Sequence, residues 1–371
     1  MRFPEGSKSL PIRRRVVTAL LVVAVMATAG CAQTGYYLQA VGGHLDLMSR
    51  RTSIETLVDQ PGTSADLRAR LATALEIRDF ATEELGLPDN GSYRSYADLE
   101  RSYVVWSVFA APEFSLDPKV WCFPFVGCVA YRGYFSEDEA RSYADGLADE
   151  GLDVYVAGIA AYSTLGRFSD PVLNSMMASG DGLLAGLIFH ELAHQRLYIE
   201  DDSTFNESFA SLVEEEGVRR WLRRRGDDKA WTRWLTQRER KRQFNALVTA
   251  AIAELRELYQ SELSPDLMRE GKREVIMAMR AGHARLRAQW GGGSPYDAWF
   301  GEPLNNAQLS SVATYRELVP AFRILLEDSG GDLEVFYRRA AAIGALAVEE
   351  RGQVMRDLTR RAENGRHRAG P

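Results

Sequence analysis

The chain has 371 residues, 46% hydrophobic and 26% charged, with a formal net charge of −6. That is enough apolar material for one large or two small cores and too much for a disordered chain. The acidic balance disfavours nucleic acid as a partner, and no internal repeat or long low-complexity tract points to a solenoid.

Residues 1–30 read as a targeting segment. Arg13, Arg14 and Arg15 precede an apolar run, Val16 to Ala29, too short for a comfortable membrane span and ending in Thr28-Ala29-Gly30-Cys31. This is the pattern of a secretory signal, and small residues directly before a cysteine form a lipobox-like site with Cys31 as the lipidated first residue. Thr28 stands where Leu is more usual, and an ordinary signal peptide with an incidental cysteine is the alternative. Loss of residues 1–30 withdraws five positive charges and one negative, taking −6 to −10. In an exported chain the other two cysteines, Cys122 and Cys128 at the ends of CFPFVGC, are expected to pair as a disulfide, with free thiols or a metal site as alternatives.

Apolar residues at helical spacing from Tyr37 to Met48 predict a first helix, interrupted by Gly42-Gly43, in which His44 is a packing or surface residue. A second helix is expected from Ser64 to about Glu84, with Leu67, Leu71, Leu75, Ile77 and Phe80 inward, stopping at Gly86-Leu87-Pro88. YVVWSVFAAP from Tyr103, then GCVAYRGYF, then LDVYVAGIAAYSTLG predict strands. Between the last two, Ser136 and Glu139 form a capping box that opens a helix. Beyond Gly217 the chain reads as helical, with long helices from about Asp228 to Ser261 and from Pro265 to about Trp290, then a break at Gly291-Gly292-Gly293-Ser294-Pro295. Trp221, Trp231, Trp234 and Phe244 are core expectations, and Arg238 to Arg242 a solvated helix face. His283 reads as a surface histidine, with a donor role in catalysis the alternative.

The chemistry concentrates in DGLLAGLIFHELAHQRLY, Asp181 to Tyr198. On a helix, His190 and His194 lie one above the other about 6 Å apart, close enough to share one metal ion. Glu191, one step round, can reach a water at that ion without ligating it, as the general base of HExxH peptidases must. The helix is apolar nearly all round and so expected to be buried, and buried polar groups need partners. A third ligand is expected on the next helix, and Glu207 in FNESFA is the first choice; Glu214, Glu215 and Glu216 are fallbacks, otherwise a solvated face. YSTLG, Tyr162, Ser163, Thr164, Leu165 and Gly166, is the candidate strand to pair with a peptide substrate, an ordinary core strand being the alternative. Tyr315 is the candidate donor to the developing oxyanion, with Tyr131, Tyr134 and Tyr162 as rivals. The paired amides Asn305-Asn306 look odd for a purely structural segment.

Together the lipobox, WCFPFVGCVAYRGYF (Trp121 to Phe135), AYSTLGRFSDP (Ala161 to Pro171), FHELAHQRLY, FNESFA and NNAQL with TYRELVPAF resemble the bacterial putative aminopeptidase family of secreted zinc enzymes. FNESFA is similar to the NExxxS segment of thermolysin-like gluzincins, although twelve residues separate Glu207 from His194 where about eighteen are familiar. The resemblance implies an α+β, mostly helical, zincin-like metallopeptidase with a small β-sheet beside the HExxH helix and a helical C-terminal half. Its expected parts are a signal peptide (1–30), an N-terminal helical region (31–100), a catalytic core (101–217), a C-terminal helical region completing it (218–360) and a disordered tail (361–371). It implies one Zn²⁺ per chain on His190, His194 and Glu207, a peptide substrate, and a lipid anchor to the membrane; in a Gram-negative cell Ala32 after Cys31, rather than aspartate, favours outer-membrane sorting. Exopeptidase action needs a carboxylate for the substrate α-amine. The GxMEN motif of one gluzincin aminopeptidase family is absent, and Glu200, Asp201, Asp202 and Glu302 are the substitutes. An envelope endopeptidase or quality-control protease and a catalytically silent partner-binding lipoprotein are the other readings.

Overall fold

A computed structural model describes residues 35–123, 127–177, 180–301, 303–313 and 318–368. The fold is α+β and mostly helical, with small sheets. Two units are distinguished. Of the first, residues 1–49, the described part is one helix, α1 (residues 35–49), continuous through Gly42-Gly43 where a break was expected.

The second unit, Arg50–Pro371, opens with β1 (Thr52–Ser53), α2 (Ile54–Asp59) and α3 (Ala65–Glu83). The Ser64 side chain caps α3 by accepting from the Leu67 N–H, and Leu71, Ile77 and Phe80 are buried. There follow β2 (Ser95–Ala97), β3 (Val105–Pro112), β4 (Trp121–Phe123), β5 (Gly127–Val129), β6 (Arg132–Tyr134), α4 (Glu137–Asp149), β7 (Leu152–Ile159) and β8 (Val172–Leu173). GCVAYRGYF thus divides between two sheets, because β5 pairs with β4 across the Cys122–Cys128 disulfide while β6 pairs with β3. β3 lies between β6 and β7 and is antiparallel to both, so β6–α4–β7 is a strand–helix–strand crossover around a central strand. The Ser136 side chain accepts from the Glu139 N–H to cap α4, which packs on this sheet.

YSTLG is not a strand. β7 stops at Ile159, and residues 160–170 form an irregular loop with left-handed backbone at Leu165 (φ 54°) and Gly166 (φ 77°). The buried Asp170 carboxylate organises the loop, accepting from the Thr164 N–H (2.9 Å) and hydroxyl (2.8 Å), while the Thr164 hydroxyl accepts from the Phe168 N–H (3.0 Å). Those side-chain bonds compete with ladder pairing and turn the chain back on itself.

The helical part comprises α5 (Asn174–Met177), α6 (Asp181–Arg196), α7 (Ser203–Arg225), α8 (Asp228–Tyr259), α9 (Pro265–Gln289), α10 (Asp297–Gly301), α11 (Asn306–Ala313), α12 (Val319–Glu327), α13 (Leu333–Gly344) and α14 (Val348–Arg368). The division expected after residue 217 falls inside α7, which continues to a left-handed Gly226 cap. Gly217 serves there as a packing residue, since a Cβ at that position would come within 2.6 Å of the Phe189 ring on α6. Phe205 and Phe209 of α7 lock onto Phe322 of α12 and Phe336 of α13, the first pair edge-on at 4.9 Å and Phe209–Phe336 stacked at 5.6 Å. A second cluster packs Phe244, Val248 and Ile252 of α8 against Met279 of α9, Phe300 and Leu309.

His283 belongs to this second core. Its ring stacks on Phe300 (3.9 Å) and a ring nitrogen meets the Ser294 hydroxyl at 3.0 Å, so it is not a surface residue. Asn305 and Asn306 fasten α11 to the sheet: Asn305 donates to the Val154 carbonyl (2.8 Å) and Asn306 to those of Pro112 and Glu113 (3.1 and 2.9 Å). Their oddity in the sequence has a structural cause. α14 extends to Arg368, where a disordered tail from 361 was expected, and Arg361 in it pairs with both carboxylate oxygens of Asp328 (2.7 and 2.8 Å).

Candidate active site

Gly180, at φ 77°, turns the chain into α6, and Asp181 sits in its first turn where a carboxylate meets the positive end of the helix dipole. Leu184, Ile188, Phe189, Leu192 and Ala193 bury the helix against its neighbours. One turn apart on it, the rings of His190 and His194 stand with centroids 4.8 Å apart and their Nε2 atoms 3.1 Å apart.

α7 brings the third group. The loop from Leu197 to Asp202 is short, and two side chains fix how it returns. Asp202 accepts from the Phe205 N–H (3.0 Å) as the N-cap and pairs through its other oxygen with Arg351 (2.8 Å). Asn206, 2% exposed, accepts from the Ile199 N–H (2.8 Å) and donates to the Ile199 carbonyl (2.7 Å). Glu207, next in the chain, then faces α6 with Oε2 3.3 Å from His190 Nε2 and Oε1 3.5 Å from His194 Nε2. Ligand atoms of His190, His194 and Glu207 all lie within 4.8 Å of one another, and among the described residues they are the one such group of histidine, cysteine and carboxylate side chains. Twelve intervening residues suffice because Asn206 closes the loop on itself.

Glu214, two turns along the same face of α7, takes the other nitrogen of His190, with Oε2 3.2 Å from Nδ1. Gly186 makes room for it, for a Cβ there would meet Glu214 Cγ at 3.3 Å. The acidic run is not a solvated face: Glu215 pairs with Arg238 and Arg323, and Glu216 with Arg219 (2.5 Å) and Arg220 (2.6 Å).

The electrostatics follow from two histidines and three carboxylates, of which Glu207 and Glu214 keep part of their surface in water. Burial opposes a charge on His190, but hydrogen bonds to Glu207 and Glu214 outweigh it and keep the imidazolium to about 10. Burial lowers His194 to about 4, helped by the charge on His190. Burial raises the Glu191 carboxyl, against the pull of His190 and of a hydrogen bond from Ser163. Ser163 also accepts from the Leu165 N–H (3.2 Å), so the YSTLG segment reaches the site through Ser163, as a loop. Behind it the buried Tyr93, at φ 64°, neighbours the Glu191 and Asp170 charges, and burial with those two carboxylates pushes its phenol up.

The Asn206 clamp and Tyr198 were not singled out in the sequence, and Glu214, a fallback ligand there, stands against His190 Nδ1. Tyr198 is four residues past His194, 48% exposed, with its ring edge-on to His194 at 6.3 Å. Burial and the charges of Glu207, Asp201 and Glu200 raise its phenol. α6 ends at Arg196 and Leu197 is extended, so Tyr198 lies past the helix and helical spacing does not announce it. Tyr315 lies outside the described residues, as do Glu302 and Cys31. The rival tyrosines sit among aromatic neighbours, Tyr131 with Phe109, Tyr134 with Tyr143 and Tyr162 with Phe135. Cys122 and Cys128 are bonded to each other, and the hairpin they close sets Gly127 (φ 80°) against the Asp201 carboxylate, 3.1 Å from where a Cβ would stand.

Two imidazoles and a carboxylate converging on one point, with a second carboxylate one residue away, form the donor set of hydrolytic metal centres. The class is that of a peptidase hydrolase. The chain belongs to the family described as Putative aminopeptidase, whose model matches residues 35–355. No curated protein and no solved structure matches it.

Proposed function

We propose that this chain is a zincin-like, zinc-dependent peptidase of the cell envelope that removes N-terminal residues from peptides. The observation that carries the reading is the convergence of His190, His194 and Glu207 beside Glu191. The residues fit the ion: in its absence the same carboxylates hold a proton on His190, so the cluster demands positive charge, and one Zn²⁺ satisfies all three donors at once. When bound, Zn²⁺ lowers the pKa of a water and polarises the scissile carbonyl.

Glu191 takes the proton of the attacking water and returns it to the leaving amine, two tasks that suit a carboxyl raised by burial. Ser163 holds that carboxylate in place. Glu214 fixes the ring of His190 through Nδ1. Tyr315, from outside the described residues, and Tyr198, beside His194, are the donors for the developing oxyanion. The Tyr162–Gly166 loop reaches the substrate side through Ser163, its Thr164 and Leu165 N–H groups being committed to Asp170 and Ser163. Asp202 is committed to Arg351 and the α7 cap, which leaves Glu200 and Asp201 as the described carboxylates for the substrate α-amine. Cys31 carries the lipid that holds the enzyme to the periplasmic face of the outer membrane.

Metal analysis of the purified chain beside His190→Ala and Glu207→Ala tests the centre. One zinc per chain, lost in both variants, is expected, and full zinc in Glu207→Ala would remove Glu207 from the ligand set. Peptides with free and acetylated N-termini test the exopeptidase reading, since equal cleavage of both would make the enzyme an endopeptidase. Hydrolysis of neither by zinc-loaded protein would leave a partner-binding role.

A further inference from the structure

α1 carries an apolar face that its own unit leaves open. Leu38, Val41 and Leu45, at i, i+3 and i+7, are 68%, 57% and 60% exposed. Asp46 is the one Asp, Glu, Lys or Arg in residues 35–49. Tyr36 and Tyr37 stand at the start of the helix, their rings edge-on at 5.6 Å. An apolar stripe beside aromatics at the helix end suits a helix lying at a lipid–water boundary. Among the described residues no helix is long and apolar enough to cross a membrane.

Chain length selects the occupant. Three residues, Ala32, Gln33 and Thr34, separate Cys31 from residue 35. Four Cα steps of 3.8 Å reach at most about 15 Å, less than the length of α1 itself, about 22 Å at 1.5 Å per residue. With Cys31 acylated, the bilayer is therefore the surface within reach of the stripe. We propose that α1 lies flat in the membrane interface with Leu38, Val41 and Leu45 among the acyl chains, a second anchor that holds the start of the catalytic unit at the bilayer surface. This rests on the lipid-anchor reading above.

The acylated full chain, reconstituted in phosphatidylethanolamine–phosphatidylglycerol vesicles, tests it. Leu38→Cys, Val41→Cys and Leu45→Cys are each labelled with an environment-sensitive fluorophore, with Gln237→Cys on α8 as the aqueous control; all four side chains are exposed, so labelling leaves packing intact. The expected result is at least about a twofold loss of emission to lipid-borne nitroxide at positions 38, 41 and 45, with the control responding to iodide instead. Iodide quenching at the three α1 positions overturns the proposal. Protection from both quenchers overturns it too and assigns the stripe to a protein contact, a second copy included. The mass of the N-terminal peptide from the same sample reports acylation separately. Missing acyl chains refute the lipid anchor, while the quenching pattern still decides where α1 lies.

Discussion

Replacing Asn206 by Ala tests how α7 is brought to α6. The side chain makes two hydrogen bonds, to the N–H and the carbonyl of Ile199, at 2.8 and 2.7 Å. Each contributes about 1 kcal/mol net, and removing the side chain leaves both partly buried Ile199 groups unpaired at about 1–3 kcal/mol apiece, so the loss should fall at about 2–4 kcal/mol. Urea unfolding of the metal-free chain, with an unchanged m-value, measures it. Because the same contact closes the loop ahead of Glu207, zinc affinity should fall roughly ten- to hundredfold, the range seen when groups supporting a ligand are removed. Asn206→Asp separates hydrogen bonding from volume. It keeps the acceptor for the Ile199 N–H but sets a carboxylate oxygen against the Ile199 carbonyl, so it should be at least as damaging as Ala. A loss below about 0.5 kcal/mol in both variants, within the scatter of ordinary surface substitutions, would refute the clamp.

Glu191→Gln should keep its zinc and lose about 10²- to 10⁴-fold in kcat on peptides; loss of the metal instead would make Glu191 a ligand. Ser163→Ala should lower kcat several-fold to tenfold with KM little changed, and Ser163→Thr should restore it; an unchanged kcat in the Ala variant would show that Glu191 needs no such support. In the metal-free chain the His190 imidazolium, raised above its unfolded value near 6.5, contributes stability that is full below that value and disappears as pH rises through about 10. Chelated protein should therefore lose melting temperature between pH 7 and 10 relative to Glu207→Gln, and zinc should flatten the decline; parallel curves for the two chelated proteins would mean that Glu207 does not hold the proton.

The parts legible in the sequence were those governed by local periodicity. His190 and His194 fall on one face because the helix repeat requires it, and the Ser64 and Ser136 caps follow from their own few residues. What escaped depended on partners distant in the chain or on side chains overriding composition. YSTLG has the β-branched and aromatic content of a strand, but Asp170, six residues past Thr164, offers the backbone another set of bonds. The acidic Glu214–Glu216 run looks solvated until α6, Arg238 and Arg323 are placed around it. His283 is hidden by Phe300, seventeen residues away, and residues 361–368 are helical in a segment whose Arg361 meets Asp328 on another element.

Gly186 and Gly217 meet the opposite helix where α6 and α7 cross, one beside Glu214 and the other beside the Phe189 ring. Together they set the separation of the two backbones, and so the distance from His190 and His194 on α6 to Glu207 on α7. The spacing of the proposed ligands is thus set partly by two missing side chains. A methyl group at position 217 would meet the Phe189 ring, next in the chain to His190, and so press on the proposed site without altering any ligand.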